Sequence, residues 1–180
     1  MTGASFTSIR KVVSRLLMAG CLVYGATAGA RGSASAGEEK PTVMIVVGAA
    51  GEAQYGEAFV KWADQWKSAA KQAKARIIEI GRDEPSEVED REQLRLSLET
   101  EPRSGNNEFW LVLIGHGTFD GEVAKFNLRG PDVSAAELAE WLEPVSRPTA
   151  VVNVSSSSAP FLNRLSRDGR VIVTATRSGY

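Results

Sequence analysis

Apolar runs of five or six residues alternate with amphipathic stretches along most of the chain. The runs are rich in β-branched residues and are bounded by glycine, proline or polar clusters, a pattern that predicts strands. Five such runs are present, at Thr42–Val47, Arg76–Ile80, Phe109–Ile114, Ala150–Val154 and Arg170–Ala175. Most of them are apolar without alternation, as in strands that are buried on both faces of a parallel sheet.

The longest amphipathic stretch predicts a helix from about Glu52 to Ala73, because its apolar residues recur at helical spacing. The residues on that face are Phe59, Trp62, Trp66 and Ala70. Since a tryptophan on the apolar face of a helix usually packs against neighbouring elements, we expect both tryptophans to lie in the core.

Two further helices are indicated by capping patterns. Ser86 precedes Glu89 by three residues, and Ser134 precedes Glu137 by the same spacing, as in a capping box at a helix start. A shorter helix is predicted from Pro160 to Arg167, where proline can occupy the first turn.

This order of elements predicts an α/β fold, a three-layer sandwich around a mostly parallel sheet. Right-handed crossovers place the loops that follow parallel strands at one edge of such a sheet, which is where its ligands bind. We call this the carboxyl edge. Gly48, His116, the serines from 155 to 158 and Thr176 all follow predicted strands, so we expect them to share it.

The first 36 residues have the pattern of an export signal. Basic residues precede an apolar run from Leu16 to about Ala28, which is short for a membrane span, and a small-residue cleavage site follows at Ala34-Ser35-Ala36. We therefore predict a signal peptide over 1–36, a short linker over 37–41 and one domain over 42–180. The protein is expected to be exported, to the periplasm or beyond, without stable membrane insertion after the signal is removed.

The single cysteine, Cys21, lies inside that leader. Its surroundings loosely match a lipoprotein box, but the apolar run continues beyond it, so we favour a cleaved signal over a lipid anchor. Once the leader is removed, the protein has no thiol nucleophile and no disulfide.

Charge argues against a nucleic-acid partner. The whole chain has a net charge of −1, and residues 1–36 hold four of its 21 basic residues and none of its 22 acidic ones. The remaining 17 basic and 22 acidic residues give the predicted mature part a net charge near −5, which disfavours an anionic partner.

His116 is the only histidine, and it stands between Gly115 and Gly117 at the end of an apolar strand. A histidine presented between two glycines can act as a general base, because neither neighbour blocks a substrate. A structural or solvated histidine is the alternative. With one histidine and scattered carboxylates, the sequence predicts no metal site and no cofactor.

Two other strand ends have a functional and an ordinary interpretation. The run Ser155-Ser156-Ser157-Ser158 could hold a nucleophile, or it could form the cap region of the helix that begins near Pro160. The segment Gly48–Gly51 could bind a small ligand in a flavodoxin-like domain. It lacks both the third glycine of the dinucleotide motif and the lysine of a P-loop, so a tight turn explains it equally well.

Taken in order, His116-Gly117 and the later strand with its serines resemble two motifs of the caspase-like cysteine peptidases, the legumain, metacaspase, gingipain and caspase relatives. In that family the nucleophile follows the fourth strand, as a small residue, cysteine, any residue, serine and glycine. On this chain Ser156 takes the place of the cysteine and Ser158 matches the serine. Ala159 stands where the family has glycine.

The resemblance implies His116 as base and Ser156 as candidate or vestigial nucleophile. A shift of one residue nominates Ser155 instead. Gly115, Gly117, Ser157 and Ser158 would line the cleft. The family continues with a further strand and pocket loops, so the resemblance also implies a minimal or truncated version.

A serine hydroxyl is a far weaker nucleophile than a thiol unless a base is well oriented. The expected function is therefore an exported, catalytically inactive peptidase-like domain that binds a peptide or protein partner. Two alternatives remain open: an active hydrolase that uses Ser156 with His116, and a flavodoxin-like domain that binds a small ligand.

Overall fold

The computed structural model describes residues 40–84 and 86–177. The predicted signal peptide, Cys21 and most of the predicted linker lie outside these residues. The strands are β1 (Thr42–Val47), β2 (Arg76–Ile80), β3 (Phe109–Ile114), β4 (Gly117–Phe119), β5 (Ala124–Phe126), β6 (Val133–Ser134), β7 (Thr149–Asn153) and β8 (Arg170–Thr174). The helices are α1 (Ala53–Gln72), α2 (Asp90–Thr100), α3 (Ala135–Leu142) and α4 (Ala159–Leu165).

Five of the strands form one parallel sheet in the order β2-β1-β3-β7-β8. These are the five strands that the apolar runs predict, and the bounds of β7 and β8 differ from the prediction by one residue. Since β3 and β7 are hydrogen-bonded neighbours, the segments that follow them emerge side by side at the carboxyl edge.

Helices cover both faces of the sheet, so the predicted α/β sandwich is confirmed in its layers. On one face α1 packs its buried residues against β1 and β3, in a cluster of Val43, Ile45, Val47, Phe59, Ala63, Ala70, Val112, Ile114 and Val152. The opposite face holds a larger cluster to which α2, α3 and α4 contribute. Burial of these apolar side chains is the main source of stability, because no disulfide is available in residues 40–180.

A second sheet of three short antiparallel strands, β4-β5-β6, was not predicted. Its strands have two or three residues, too few to show a period in the sequence. Phe126 of β5 lies against Gly48 and Gly115, within 3.1 Å of where a Cβ would sit on either glycine. This small sheet therefore packs on the carboxyl edge itself.

Two predictions about helix ends have opposite outcomes. The capping box of α3 is confirmed: the Glu137 amide donates to Ser134 Oγ at 3.1 Å, and the Ser134 amide donates to Glu137 Oε2 at 2.9 Å. The cap at Ser86 is wrong, because α2 begins later and its N-cap is Glu89, without a side-chain hydrogen bond. Ser86 Oγ donates to the carbonyl of Val88 instead and closes a local turn.

The expectation for the tryptophans of α1 is only partly met. Trp66 packs at the margin of the core beside Trp110 of β3, with ring centroids 6.2 Å apart. Trp62 remains 42% exposed on the flank of the helix. The small side chain of Ala63 faces the sheet instead, so α1 lies close to the strands and a tryptophan at its flank cannot reach the core.

Within the described residues, none of the helices combines the length and apolar character needed to cross a membrane.

Candidate functional site

His116 directly follows β3 and is anchored through one ring nitrogen. His116 Nε2 lies 3.1 Å from the carbonyl oxygen of Ala50, in the loop between β1 and α1. Because a carbonyl oxygen only accepts hydrogen bonds, Nε2 must carry the proton and donate. In the neutral ring the lone pair then belongs to Nδ1, the nitrogen that could accept a proton from a nucleophile.

Two aromatic side chains of α1 contact the imidazole ring of His116 and fix its orientation. The ring of Tyr55 meets it at a centroid distance of 4.8 Å and an angle of 84°, and that of Phe59 at 5.2 Å and 67°. Both are edge-to-face contacts, which restrict rotation of the ring. His116 is therefore held by one backbone carbonyl and two rings, and it remains partly exposed.

The serine run, Ser155–Ser158, follows β7 and divides sharply by exposure. Ser155, Ser157 and Ser158 are buried, whereas Ser156 is exposed. Ser155 is tied to Asn153: its amide and its Oγ both donate to Asn153 Oδ1, at 3.0 and 2.7 Å. The structure therefore gives Ser155 a role in shaping the loop and leaves Ser156 as the exposed member of the run.

Ser158 is hydrogen-bonded to the segment that follows β8. Its amide donates to Thr176 Oγ1 at 3.1 Å, and the Thr176 amide donates to Ser158 Oγ at the same distance. Thr176 Oγ1 in turn donates to the carbonyl of Ser155 at 3.0 Å. These bonds hold both ends of the serine run, so the segments that follow β7 and β8 meet at the carboxyl edge, as their position in the sequence predicted.

Gly117 brings the histidine segment and the serine run into direct contact. A Cβ on Gly117 would lie 2.3 Å from the carbonyl oxygen of Ser156 and 2.9 Å from Ser155 Oγ. Only glycine permits this approach, because real Cβ atoms do not come so close to a carbonyl oxygen. The main chain after His116 therefore touches the main chain of Ser156.

Ser157 has an unusual backbone conformation, with φ at 52° in a residue that is not glycine. Such a left-handed conformation costs free energy in a residue with a Cβ and persists where the surrounding contacts enforce it. Here the hydrogen bonds of Ser155 and Ser158 hold the residues on either side, and Ser156, next to Ser157, is exposed.

The segment Gly48–Gly51 is accounted for as a tight turn. A Cβ at Gly48 would lie 2.3 Å from the carbonyl oxygen of Asn127, and Phe126 occupies the space beside it. Gly51 has φ at 67°, which suits the turn into α1. The protein's own atoms thus fill the position over Gly48 that a ligand would need.

The acidic loop between β4 and β5 is held by hydrogen bonds between its own residues. Asp120 Oδ1 accepts hydrogen bonds from the amides of Val123 and Glu122, at 2.7 and 2.9 Å, and these bonds hold the pKa of Asp120 below its ordinary value. In residues 40–84 and 86–177, no group of three or more histidine, cysteine or acidic side chains is arranged to hold a metal ion.

Comparison of the chain with protein-family models, with curated proteins and with solved structures finds no match. The chemistry of the site therefore has to be argued from its geometry. Sequence reasoning missed three of its parts: the carbonyl of Ala50, the rings of Tyr55 and Phe59, and the Asn153 side chain beneath Ser155. For the two rings a signal existed, since they lie four residues apart on one face of α1.

Proposed function

We propose that the chain is an exported domain with a caspase-like, catalytically inactive peptidase site, whose carboxyl edge binds a peptide or protein partner. The observation that carries this proposal is the contact of Gly117 with Ser156, beside a histidine whose tautomer is fixed by the carbonyl of Ala50. Such an arrangement suits a nucleophile and its base, but the nucleophile position holds a serine.

The chemistry of that pair favours inactivity. A serine hydroxyl needs a base that is itself oriented and stabilised as a cation, usually by a carboxylate. Within the described residues, the hydrogen-bond partner of His116 is a neutral backbone carbonyl, which orients the ring without a full negative charge. The chain has no cysteine beyond residue 21 to supply the stronger nucleophile.

The active hydrolase is the second candidate, and one observation favours it. Ser156 is the exposed member of the run, and it directly precedes Ser157, whose φ of 52° is a strained conformation. Backbone strain of this kind is concentrated at active sites. The two candidates differ only in whether Ser156 reacts, so one experiment addresses both.

The test replaces Ser156 with cysteine in the full-length chain carrying Cys21→Ser, so that the introduced thiol is unique. If His116 faces residue 156, it stabilises the thiolate, and iodoacetamide should modify Ser156→Cys roughly tenfold faster near neutral pH than an ordinary exposed thiol. Ser104→Cys is the matched control, since Ser104 is also an exposed loop serine but precedes β3, at the other end of the strand from His116.

Adding His116→Ala should abolish the difference between the two cysteines while circular dichroism stays unchanged. Equal rates for Ser156→Cys and Ser104→Cys would refute the paired site. The wild-type serine should not react with a fluorophosphonate probe. Labelling that disappears in Ser156→Ala would refute inactivity and establish the hydrolase instead.

A further inference from the structure

The face of the parallel sheet that α1 covers is only partly occupied. α1 packs on β1 and β3, and its cluster of buried residues reaches β7 at Val152. On β8 the side chains of the same face, Val171 and Val173, remain 62% and 49% exposed. The buried residues of α2, α3 and α4 belong to the cluster on the opposite face. Within the described part of the chain, the surface over β7 and β8 therefore has α1 as a wall on one side and no helix above it.

The flank of α1 that borders this surface is aromatic and carries no charge. Tyr55, Trp62 and Trp66 follow one another along it at spacings of seven and four residues, and Trp66 lies beside Trp110 of β3. Three of these side chains are substantially exposed, Tyr55 at 43%, Trp62 at 42% and Trp110 at 37%. The charged residues of α1 lie at other positions around the helix, where Lys67 forms an ion pair with β2.

We call the surface between this flank and β8 the aromatic groove. It begins at the carboxyl edge, where Tyr55 contacts His116, and it ends at the amino edge in a hollow of about 260 Å³ beside Trp110 and Val171. Trp110 and His116 are six residues apart in an extended segment, so the groove is about 20 Å long. Glu108 lines the amino end, is exposed, and has no ion-pair partner among the described residues.

We propose that the aromatic groove binds a proline-rich segment of the partner in polyproline II conformation, with a basic residue of that segment at Glu108. This inference rests on the proposed function and adds the chemical class of the peptide. Tyr55 and Trp62 are separated by a helical rise of about 10.5 Å, and one turn of polyproline II rises about 9.3 Å. Successive turns of the peptide therefore pack a proline ring against each of the two exposed rings, as proline-rich ligands do in other aromatic-lined grooves.

The lining of the hollow favours this ligand over a saccharide. Trp110, Ala150 and Val171 are apolar, and the polar residues of the lining are Glu108 and Thr149, at the amino end. A saccharide has hydroxyl groups along its whole length, and those over an apolar surface would lose their hydrogen bonds to water without replacement. Proline has no amide proton to satisfy, so its rings can lie on an apolar surface while the peptide carbonyls face solvent.

A fluorescein-labelled octaproline peptide with arginine at both ends tests the proposal on the full-length chain. Fluorescence polarisation should show binding on the order of tenfold tighter than that of a peptide of four Gly-Ser repeats with the same arginines, because only the proline peptide is rigid before it binds. Both peptides carry the same charge, so attraction to an acidic protein cannot produce the difference. Equal affinities would overturn the proposal, and so would binding of cellohexaose in place of the proline peptide.

Two substitutions test whether the peptide lies in the aromatic groove. Trp62→Ala should weaken binding of the proline peptide on the order of tenfold, since a tryptophan packed against a ligand contributes strongly to its affinity. Leu162→Ala is the matched control, because it removes an equally exposed apolar side chain from α4, whose buried residues pack on the opposite face. It should leave the affinity unchanged. Equal effects of the two substitutions would place the peptide elsewhere and overturn the proposal.

Glu108→Gln tests the basic residue. Binding of the arginine-flanked peptide should weaken about threefold, as for an exposed ion pair, and that of octaproline without arginines should not change. An unchanged affinity for both peptides would refute the pairing at Glu108.

These outcomes are independent of the alkylation test of the paired site. Rapid alkylation of Ser156→Cys together with equal affinities for the proline and Gly-Ser peptides would overturn the aromatic groove alone. Slow alkylation together with selective binding of the proline peptide would refute the paired site and leave the groove as the binding surface.

Discussion

Different kinds of interaction hold the two ends of the central strands in place. At the amino edge, where the strands begin, the side chain of Glu101 is fully buried and accepts hydrogen bonds from Arg147, itself 3% exposed, at 2.7 Å and from Arg76 at 2.5 Å. At the carboxyl edge, a close glycine contact joins the segments after β3 and β7, and neutral hydroxyl and amide hydrogen bonds join the segments after β7 and β8.

Because of this difference, the amino edge is suited to stabilising the fold and the carboxyl edge to presenting an accessible group. Glu101 and Arg147 are both buried, so removal of either one would leave the charge of the other without compensation away from water. Neutral bonds between short side chains can clamp a loop at both ends and still leave one hydroxyl, that of Ser156, exposed between them. The carboxyl edge is therefore the end that can present a reactive or binding group.

The largest expected effect is at the amino edge. Glu101→Ala should destabilise the fold by about 3–5 kcal/mol, because it leaves the buried guanidinium of Arg147 without its carboxylate. Urea unfolding followed by tryptophan fluorescence measures this. Glu143→Ala, which breaks only the exposed pair with Arg167, should cost less than about 1 kcal/mol. Comparable losses for the two variants would show that the buried cluster holds the amino edge no more strongly than an exposed ion pair does.

Gly117→Ala should have an intermediate effect on the stability of the fold and a large effect on the reactivity of a cysteine at position 156. The new Cβ would collide with the Ser156 carbonyl, so the two segments must separate, at a cost of about 1–3 kcal/mol. In the Ser156→Cys background, Gly117→Ala should also remove the fast alkylation. Thr118→Ala, one residue further along β4 at an exposed position, should change neither property. An unaltered alkylation rate in Gly117→Ala would show that the close contact does not position the pair.

The sequence predicted the sheet better than the site, for physical reasons that particular residues show. Apart from Thr42, the runs that became β1 and β3 are apolar, and burial on both faces of a sheet leaves that pattern in any single sequence. The anchor of His116 leaves no such pattern, because it is a backbone carbonyl 66 residues away that every residue possesses. The division of the serine run into one exposed and three buried hydroxyls depends equally on tertiary contacts.

The smallest expected effect concerns a charge at the start of α3. Hydrogen bonds from the amide and hydroxyl of Ser134, together with Arg91, hold the pKa of Glu137 below its ordinary value. A folded-state pKa that is lower than the unfolded one contributes stability above the unfolded value, and that contribution is lost as the pH falls through the folded value. The wild type should therefore lose this increment on acidification below about pH 5.

Glu137→Gln measures that increment directly. At neutral pH the variant should be less stable by roughly 1 kcal/mol or less, because the capping side chain is partly exposed and solvent screens its pairing with Arg91. The difference should shrink as the pH falls, since protonation removes the same charge from the wild type. Thermal unfolding of both proteins from pH 7 to pH 3 provides the comparison. A gap that stays constant with pH would mean that shape rather than charge stabilises this helix start. Glu137 would then act through hydrogen-bond geometry alone, like the neutral hydrogen bonds around Ser156 and unlike the buried carboxylate of Glu101.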